Sequence, residues 1–589
     1  MRKTFYALTT TLLGAVMVFA STASAASLLD LLPEGTLAAF GVEGLDQHEE
    51  KADVFIAEWN RLDLTNLLEA AYGEELEDTT GADDAEIPQA LLEANPLDLI
   101  GQEVWLTVSV NSFNPLPAVT LVASMNQAGR DVVQALFDEA SKDGEVLALT
   151  EGNATFHVLQ PDPSAAGADS LTGDLEVVVA YGQIDDLVVV SSNPDVARGV
   201  LRRYQGANEP NLASNAGFTS TVGALGDGNL YTFIDLPAAV AVAKPFAAGM
   251  GFDALVTRLE NAFNTAGSYG SVMTVVGDGL EGASLRVLGD RANDPQLYDL
   301  LAGPATVSDA TTAFTSPAAL AYSVATIDVP GWWAWLNDVA ASEPQLGLSD
   351  LNMMIEQMLG LNLEDTLFSW MGDEVATINL GFAPATDIGA PMVNPLGEAV
   401  YLIEASDEQA ARSGIATLFQ VGMASASAFM DPMGEGESLT PAISDVAGVE
   451  VTTWNLSDGF TLSTAVSEGY ALFATTPDAM NSVLAGRGAG AGLSGTLAPL
   501  RSRVPSGVRS FTLSDDRASM AATAETLLGQ MGMLTGMSGA DIDFDAAETA
   551  NEALAQFVEF VAERFGGSVG YSLAGTGTVR SDSHTTVQW

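Results

Sequence analysis

The phrase Gly-x-Glu-Val, followed by an alternating apolar run, stands at two places in this chain: "LIGQEVWLTVSV" at 99–110 and "WMGDEVATINL" at 370–380. Alternation at period two marks a half-buried strand, so both segments read as strands opened by a glycine. Other matched segments flank them in the same order. "LPEGTLAAFGVEGL" (32–45) is answered by "SPAALAYSVATIDV" (316–329), and "PAVTLVASMNQAGRDVVQALFDEA" (117–140) by "EAVYLIEASDEQAARSGIATLFQVG" (398–422). "DLVVVSSNPDVARGVL" (186–201) is answered by "YALFATTPDAMNSVL" (470–484), each a strand that breaks into a helix. Near the ends of the two series, "NLYTFIDL" (229–236) matches "GVRSFTLSDD" (507–516). "GFDALVTRLENAF" (251–263) then matches "DFDAAETANEALAQFVEF" (543–560), and "GSVMTVVGDG" (270–279) matches "GSVGYSLAGTG" (567–577). A chain written twice must fold as two copies of one plan.

The spacing agrees. Gly372 follows Gly101 by 271 residues, Pro477 follows Pro194 by 283, and Asp545 follows Asp253 by 292, so order is kept while small insertions accumulate. One insertion falls on "EELEDTTGADDAEIP" (74–88), where seven of fifteen residues are acidic, which reads as a solvated loop. The strand-to-helix breaks have a local cause. Asn193 and Thr476 can cap, Pro194 and Pro477 fill first-turn positions that need no amide donor, and Asp195 and Asp478 favour the positive helix end. Consecutive strands with short turns favour antiparallel pairing, and helices grouped between strand runs favour layers of helix on sheet. The expected fold is therefore α+β, a tandem duplication of a domain with a mainly antiparallel sheet and packed helices. Residues 26–305 form the first repeat, 306–589 the second, and each reads as strand, helices, two strands, helix, several strands, two helices, strand, helix, two strands.

Residues 1–25 fit a signal peptide: Arg2 and Lys3 precede the apolar "TLLGAVMVFA" (11–20), and Ala23-Ser24-Ala25 suits cleavage. No later stretch reaches the ~18 apolar residues of a spanning helix, and with no cysteine there is no disulfide framework. Export to the periplasm, the cell envelope or the outside is expected, with no membrane-spanning segment after signal removal. The 589 residues carry 77 acidic and 21 basic side chains, a formal charge of −56, and the leader holds two of the basic ones. Phosphate recognition needs clustered cations, so a nucleic-acid partner is excluded.

Three motifs carry a further likeness: Trp370 to Val375, Pro317 to Tyr322, and Thr475 to Ala479. With them the chain resembles a group of secreted bacterial proteins, the domain-of-unknown-function family numbered thirty-three fifty-two, in two tandem copies. The first repeat departs from the pattern by having Leu99-Ile100 ahead of its glycine. The resemblance implies an envelope or extracellular protein, and it brings no catalytic residues.

Chemistry is sparse. "GGSVG" (566–570) matches the Gly-x-Ser-x-Gly elbow around Ser568, but a helix precedes it and a strand follows, the reverse of what that motif needs. His48, His157 and His584 are scattered, no phosphate-binding Gly-Lys loop is present, and no cofactor is expected. The one metal candidate is calcium at "DIDFDAAETANE" (541–552), where Asp541, Asp543, Asp545 and Glu552 occupy the oxygen-ligand positions of an EF-hand loop. Ala546 stands where the turn requires Gly, so a helix start capped by Asp545 is the competing reading. In "GWWAWLNDV" (331–339), Trp332, Trp335, Leu336 and Val339 share one helical face that reads as core-facing, while Trp333 lies off it as a candidate for a ligand or a domain interface. The expected function is that of an exported, non-catalytic envelope protein, a scaffold or a module binding a ligand or partner. Two alternatives stay open: an exported hydrolase with paired carboxylates, and a periplasmic carrier of a lipophilic ligand.

Overall fold

The computed structural model describes residues 28–67 and 103–589 outside breaks at 45, 65, 112–113, 142–144, 161–177, 249–252, 304–305, 343–350, 382–396, 431–440, 458–459, 488–491, 494 and 522–543. The leader, the acidic insertion at 74–88, Gly101, Asp541 and Asp543 lie outside the described residues.

Ten strands precede residue 305: β1 (Thr36–Glu43), β2 (Glu103–Asn111), β3 (Asn114–Ser124), β4 (Glu145–Glu151), β5 (Ala154–Gln160), β6 (Val179–Ile184), β7 (Leu187–Ser191), β8 (Leu230–Asp235), β9 (Ser268–Val276) and β10 (Gly279–Val287). Ten follow it: β11 (Ala321–Thr326), β12 (Met371–Gly381), β13 (Glu398–Ala405), β14 (Ala442–Val446), β15 (Val449–Ser457), β16 (Phe460–Ser467), β17 (Tyr470–Ala474), β18 (Ser510–Asp515), β19 (Phe565–Gly575) and β20 (Thr578–Val587). The first ten pair side by side, antiparallel throughout, in the order β4-β5-β6-β7-β3-β2-β1-β8-β9-β10. The second ten pair in the order β14-β15-β16-β17-β13-β12-β11-β18-β19-β20, again all antiparallel. Every pairing in the first set has its counterpart ten strands later. The fold is α+β, as the periodicity predicts.

The two sets meet at β10 and β20, which pair antiparallel from Gly279↔Thr586 to Val287↔Thr578 and make one continuous sheet. Each of these strands is the second arm of a two-residue hairpin, closed by Val276↔Gly279 in one case and Gly575↔Thr578 in the other. Ala283 and Asp582 both stand four residues past those closures, and they face each other. The join is thus isologous in form, each strand meeting its own counterpart about a local two-fold. The hairpins align two residues away from the "GSV" sequence match. With a side-chain period of two, that slip keeps every residue on its face.

Helices cover both faces of the outer sheet. Val189 of β7 points to the Pro194–Tyr204 helix and a core with Trp105, Phe156 and Phe233, whereas Val188 points to the opposite face beneath Phe137 of the Gln127–Ala140 helix. Burial on both sides explains why β7 and β17 read as unbroken apolar runs. The Pro477–Arg487 and Glu408–Met430 helices cover the second set in the same way. The breaks behave as their residues dictate: Asn193 Oδ1 accepts from the Asp195 amide at 2.9 Å, and Thr476 Oγ1 from the Ala479 amide at 3.1 Å.

Two expectations need correction. Between β8 and β9 there are two helices, Leu236–Ala248 and Asp253–Ala266, where one was expected. The additional one, "LPAAVAVAKPFAA", is apolar apart from Lys244 and so lacks the 3.6-residue rhythm that announces a helix. The Val329–Ala341 helix buries none of its residues fully, and Leu336 is 44% exposed, so its predicted apolar stripe does not enter a core. Its anchor is polar: Trp335 Nε1 donates to Asp294 at 2.8 Å.

Candidate functional site

Glu of the repeated phrase is buried in both sets, 6% exposed as Glu103 and as Glu374. Glu103 accepts the Leu28 amide on both oxygens (2.8 and 2.9 Å) and Trp105 Nε1 at 2.8 Å. Glu374 accepts the Ser308 amide at 2.6 Å, the Ser308 hydroxyl at 3.0 Å and the Tyr470 hydroxyl at 3.0 Å. Burial first, then the Glu374 charge, push the Tyr470 hydroxyl up to about 12. Each carboxylate ties the segment ahead of β1 or β11 to the sheet. Both are buried and fully engaged in holding the fold.

Ser568 lies within β19, not on a turn, and its hydroxyl donates to Asp516 at 3.0 Å. Burial pushes the Asp516 carboxyl up. No histidine completes this pair. Ser568 faces Thr585 across the hairpin and Val569 faces His584, so Ser568 and His584 point to opposite sides of the sheet. His157 sits in β5 with its ring against Phe137. Asp545 and Glu552 lie on one helix, Phe544–Arg564, seven residues apart, which is roughly 10 Å along the axis. Asp545 falls inside the first turn of that helix, and Glu552 is exposed. Among the described residues no group of three or more His, Cys, Asp or Glu is placed to hold a metal. Trp333 packs on Phe368, with ring centroids 5.9 Å apart, and Trp332 meets Trp335 edge to face.

What does gather chemistry is the join. Over the strands β9-β10-β20-β19 lies a cavity of about 680 Å³, within the range of small-ligand sites. Its floor comes from side chains that the register puts on one face. Thr274, Glu281, His584 and Val569 form one row across the four strands, and Val272, Ala283, Asp582 and Tyr571 form the next. Ala283, the smallest, sits at the local two-fold and leaves the centre open. Arg580 stands one row further along β20. Asp227 and Asp278 overhang from the first set and Arg503 from the second.

The charges are sorted by side. The first set contributes Asp227, Asp278 and Glu281; the second contributes Arg503, Arg580 and His584, together with Asp582. Asp582 is neutralised in place by Arg580, whose Nε and Nη2 reach it at 3.0 and 2.8 Å. Arg503 is exposed and has no ion pair or side-chain hydrogen bond among the described residues. Nδ1 of His584 lies 3.7 Å from Glu281, and its Nε2 is buried without a hydrogen-bond partner. Sequence reasoning passed over this site because its residues stand far apart along the chain. In a chain with 21 basic residues against 77 acidic ones, Arg503, Arg580 and His584 all fall within the last 87 residues, and that is the signal that could have pointed to it.

Fold and cavity together define a class: an α+β protein with a solute-sized cavity over the strand pair that joins two alike sheets. Residues 166–494, more than half of the chain, match the family described as "Protein of unknown function (DUF3352)", and the chain belongs to that family. No curated protein and no solved structure matches it.

Proposed function

We propose that this is an exported, non-catalytic protein of the cell envelope, made of two copies of one α+β unit, that binds a small polar ligand in the cavity over β10 and β20. The observation that carries the reading is the cavity's position, lined from both sets of strands and rich in charged groups. The leader-like residues 1–25 support export. No described helix is long and apolar enough to cross a membrane. A charged lining favours a polar ligand over a lipophilic one, since an apolar molecule would leave these groups desolvated and unpaired. Native mass spectrometry of the protein purified from its own envelope is the test. A retained small molecule, lost in Ala283→Trp, is expected; an empty wild type, indistinguishable from Ala283→Trp in thermal melts with envelope extract, would remove the reading.

The hydrolase alternative finds a cluster of carboxylates at Asp373, Asp328 and Glu404. Asp373 has its carboxyl pushed up by partial desolvation and by the charges of Asp328 and Glu404. Turnover of an envelope polymer that disappears in Asp373→Asn would move the function there.

A further inference from the structure

The hairpin geometry gives Glu281 and Arg580 the same position: each stands two residues past its hairpin closure, at Gly279 and Thr578. Equivalent places in the two sets therefore carry opposite charges. Around Glu281 the first set adds Asp227 and Asp278; on the second side Arg580 is paired with Asp582, and Arg503 adds an unpaired positive charge. One side of the cavity is anionic and the other cationic.

This arrangement selects among ligand classes. A simple anion would meet Arg503 but also four carboxylates, only one of them, Asp582, paired with Arg580, within a chain of formal charge −56. A simple cation would leave Arg503 without a counter-charge. A molecule with an ammonium at one end and a carboxylate at the other satisfies both sides and has no net charge for the protein's field to repel. Building on the reading of this cavity as a ligand site, we infer that it binds a zwitterion of short-peptide size. Its ammonium lies toward Glu281, Asp278 and Asp227, and its carboxylate toward Arg503, the cation with no partner of its own among the described residues. The size follows from the sheet. From β10 to the wall beyond β19 is two to three strand spacings of about 4.8 Å, roughly 10–14 Å, the reach of three or four extended residues.

The test uses calorimetric titration of the full mature chain with tetra-alanine, its N-acetylated form and its C-amidated form. Free tetra-alanine should bind, and each cap should weaken binding about ten- to hundredfold, since each removes a charge-assisted contact. Glu281→Gln should weaken the free peptide but leave the N-acetylated form unchanged, and Arg503→Ala should do the same with respect to the amidated form. Both residues are exposed, so thermal melts of the variants should overlay the wild type and set folding aside. No binding of tetra-alanine, or equal binding of all three peptides, overturns the inference. The reading beneath it is judged separately. A retained molecule that lacks one of the two charges would sink the zwitterion and keep the ligand site, whereas no retained molecule and no peptide binding would sink both.

Discussion

Glu374 shows how little of a buried acid's role depends on its being an acid. It is held by three donors, so Glu374→Ala leaves the Ser308 amide and the Tyr470 hydroxyl unpaired inside the protein. Urea unfolding should show a loss of about 2–4 kcal/mol, and Glu374→Gln, which keeps an acceptor, should lose less. The Tyr470 hydroxyl adds a sign that can be checked. Its folded value of about 12 lies above the ordinary 10.0, so its contribution is fully present below pH 10 and is lost as pH rises through 12. In Glu374→Gln the tyrosine should titrate nearer 10 in an absorbance titration. Ser568 makes the complementary case. Its partner Asp516 and its place inside β19 fit a structural hydroxyl, and Ser568→Ala should cost about 1 kcal/mol while leaving any hydrolytic turnover of the purified protein unchanged. A collapse of turnover in that variant would show that serine chemistry exists here after all.

Among the elements, those with a rhythm were legible and those held by a partner were not. Asn193-Pro194-Asp195 and Thr476-Pro477-Asp478 spell their helix starts locally, and β7 and β17 spell strands through β-branched runs, so each was readable without the rest of the chain. The Val329–Ala341 helix was readable as a helix, but its packing was not, because the group that fixes it comes from another helix start. Asp294, 2% exposed, caps Pro295–Ala302 through the Leu297 amide, accepts from Trp335 and pairs with Arg258. Burial alone would raise this carboxyl; the bonds from Trp335, Arg258 and the Leu297 amide, with the Arg258 charge, outweigh it and hold the group below its usual 3.8. A depressed acid stabilises the fold above its unfolded value and loses that contribution as pH falls through the folded one. Asp294→Asn should therefore lose about 2–4 kcal/mol near pH 7, and the gap to wild type should narrow below about pH 4. A gap that stays constant down to pH 2 would show that the Arg258 pairing contributes nothing. The cavity was the least legible feature. Glu281 and His584 are ordinary residues in their own segments, and only the register of β10 with β20 makes them neighbours; Arg503 lines the cavity from outside that pairing.

At the scale of the whole molecule, the nine-residue ladder between β10 and β20 should make the two sets of strands unfold together. Tryptophan fluorescence and far-ultraviolet circular dichroism should trace one coincident transition in the wild type. Gly279 is the point at which to break it, because a Cβ there would lie 2.0 Å from the Thr585 carbonyl oxygen. In Gly279→Val the ladder should open and the two probes should separate into two steps; a wild type that already unfolds in two steps would refute the coupling. The same local two-fold limits what a site placed on it can be. Two identical subunits meeting along this strand would present the same residue on both sides, glutamate against glutamate or arginine against arginine, and could offer only a site of one sign. With both sheets in a single chain, positions 281 and 580 can hold unlike residues. The join also persists at any dilution, because no second molecule has to be found. A head-to-tail polarity at the centre of an otherwise two-fold arrangement is thus open to a single chain and closed to a symmetric pair.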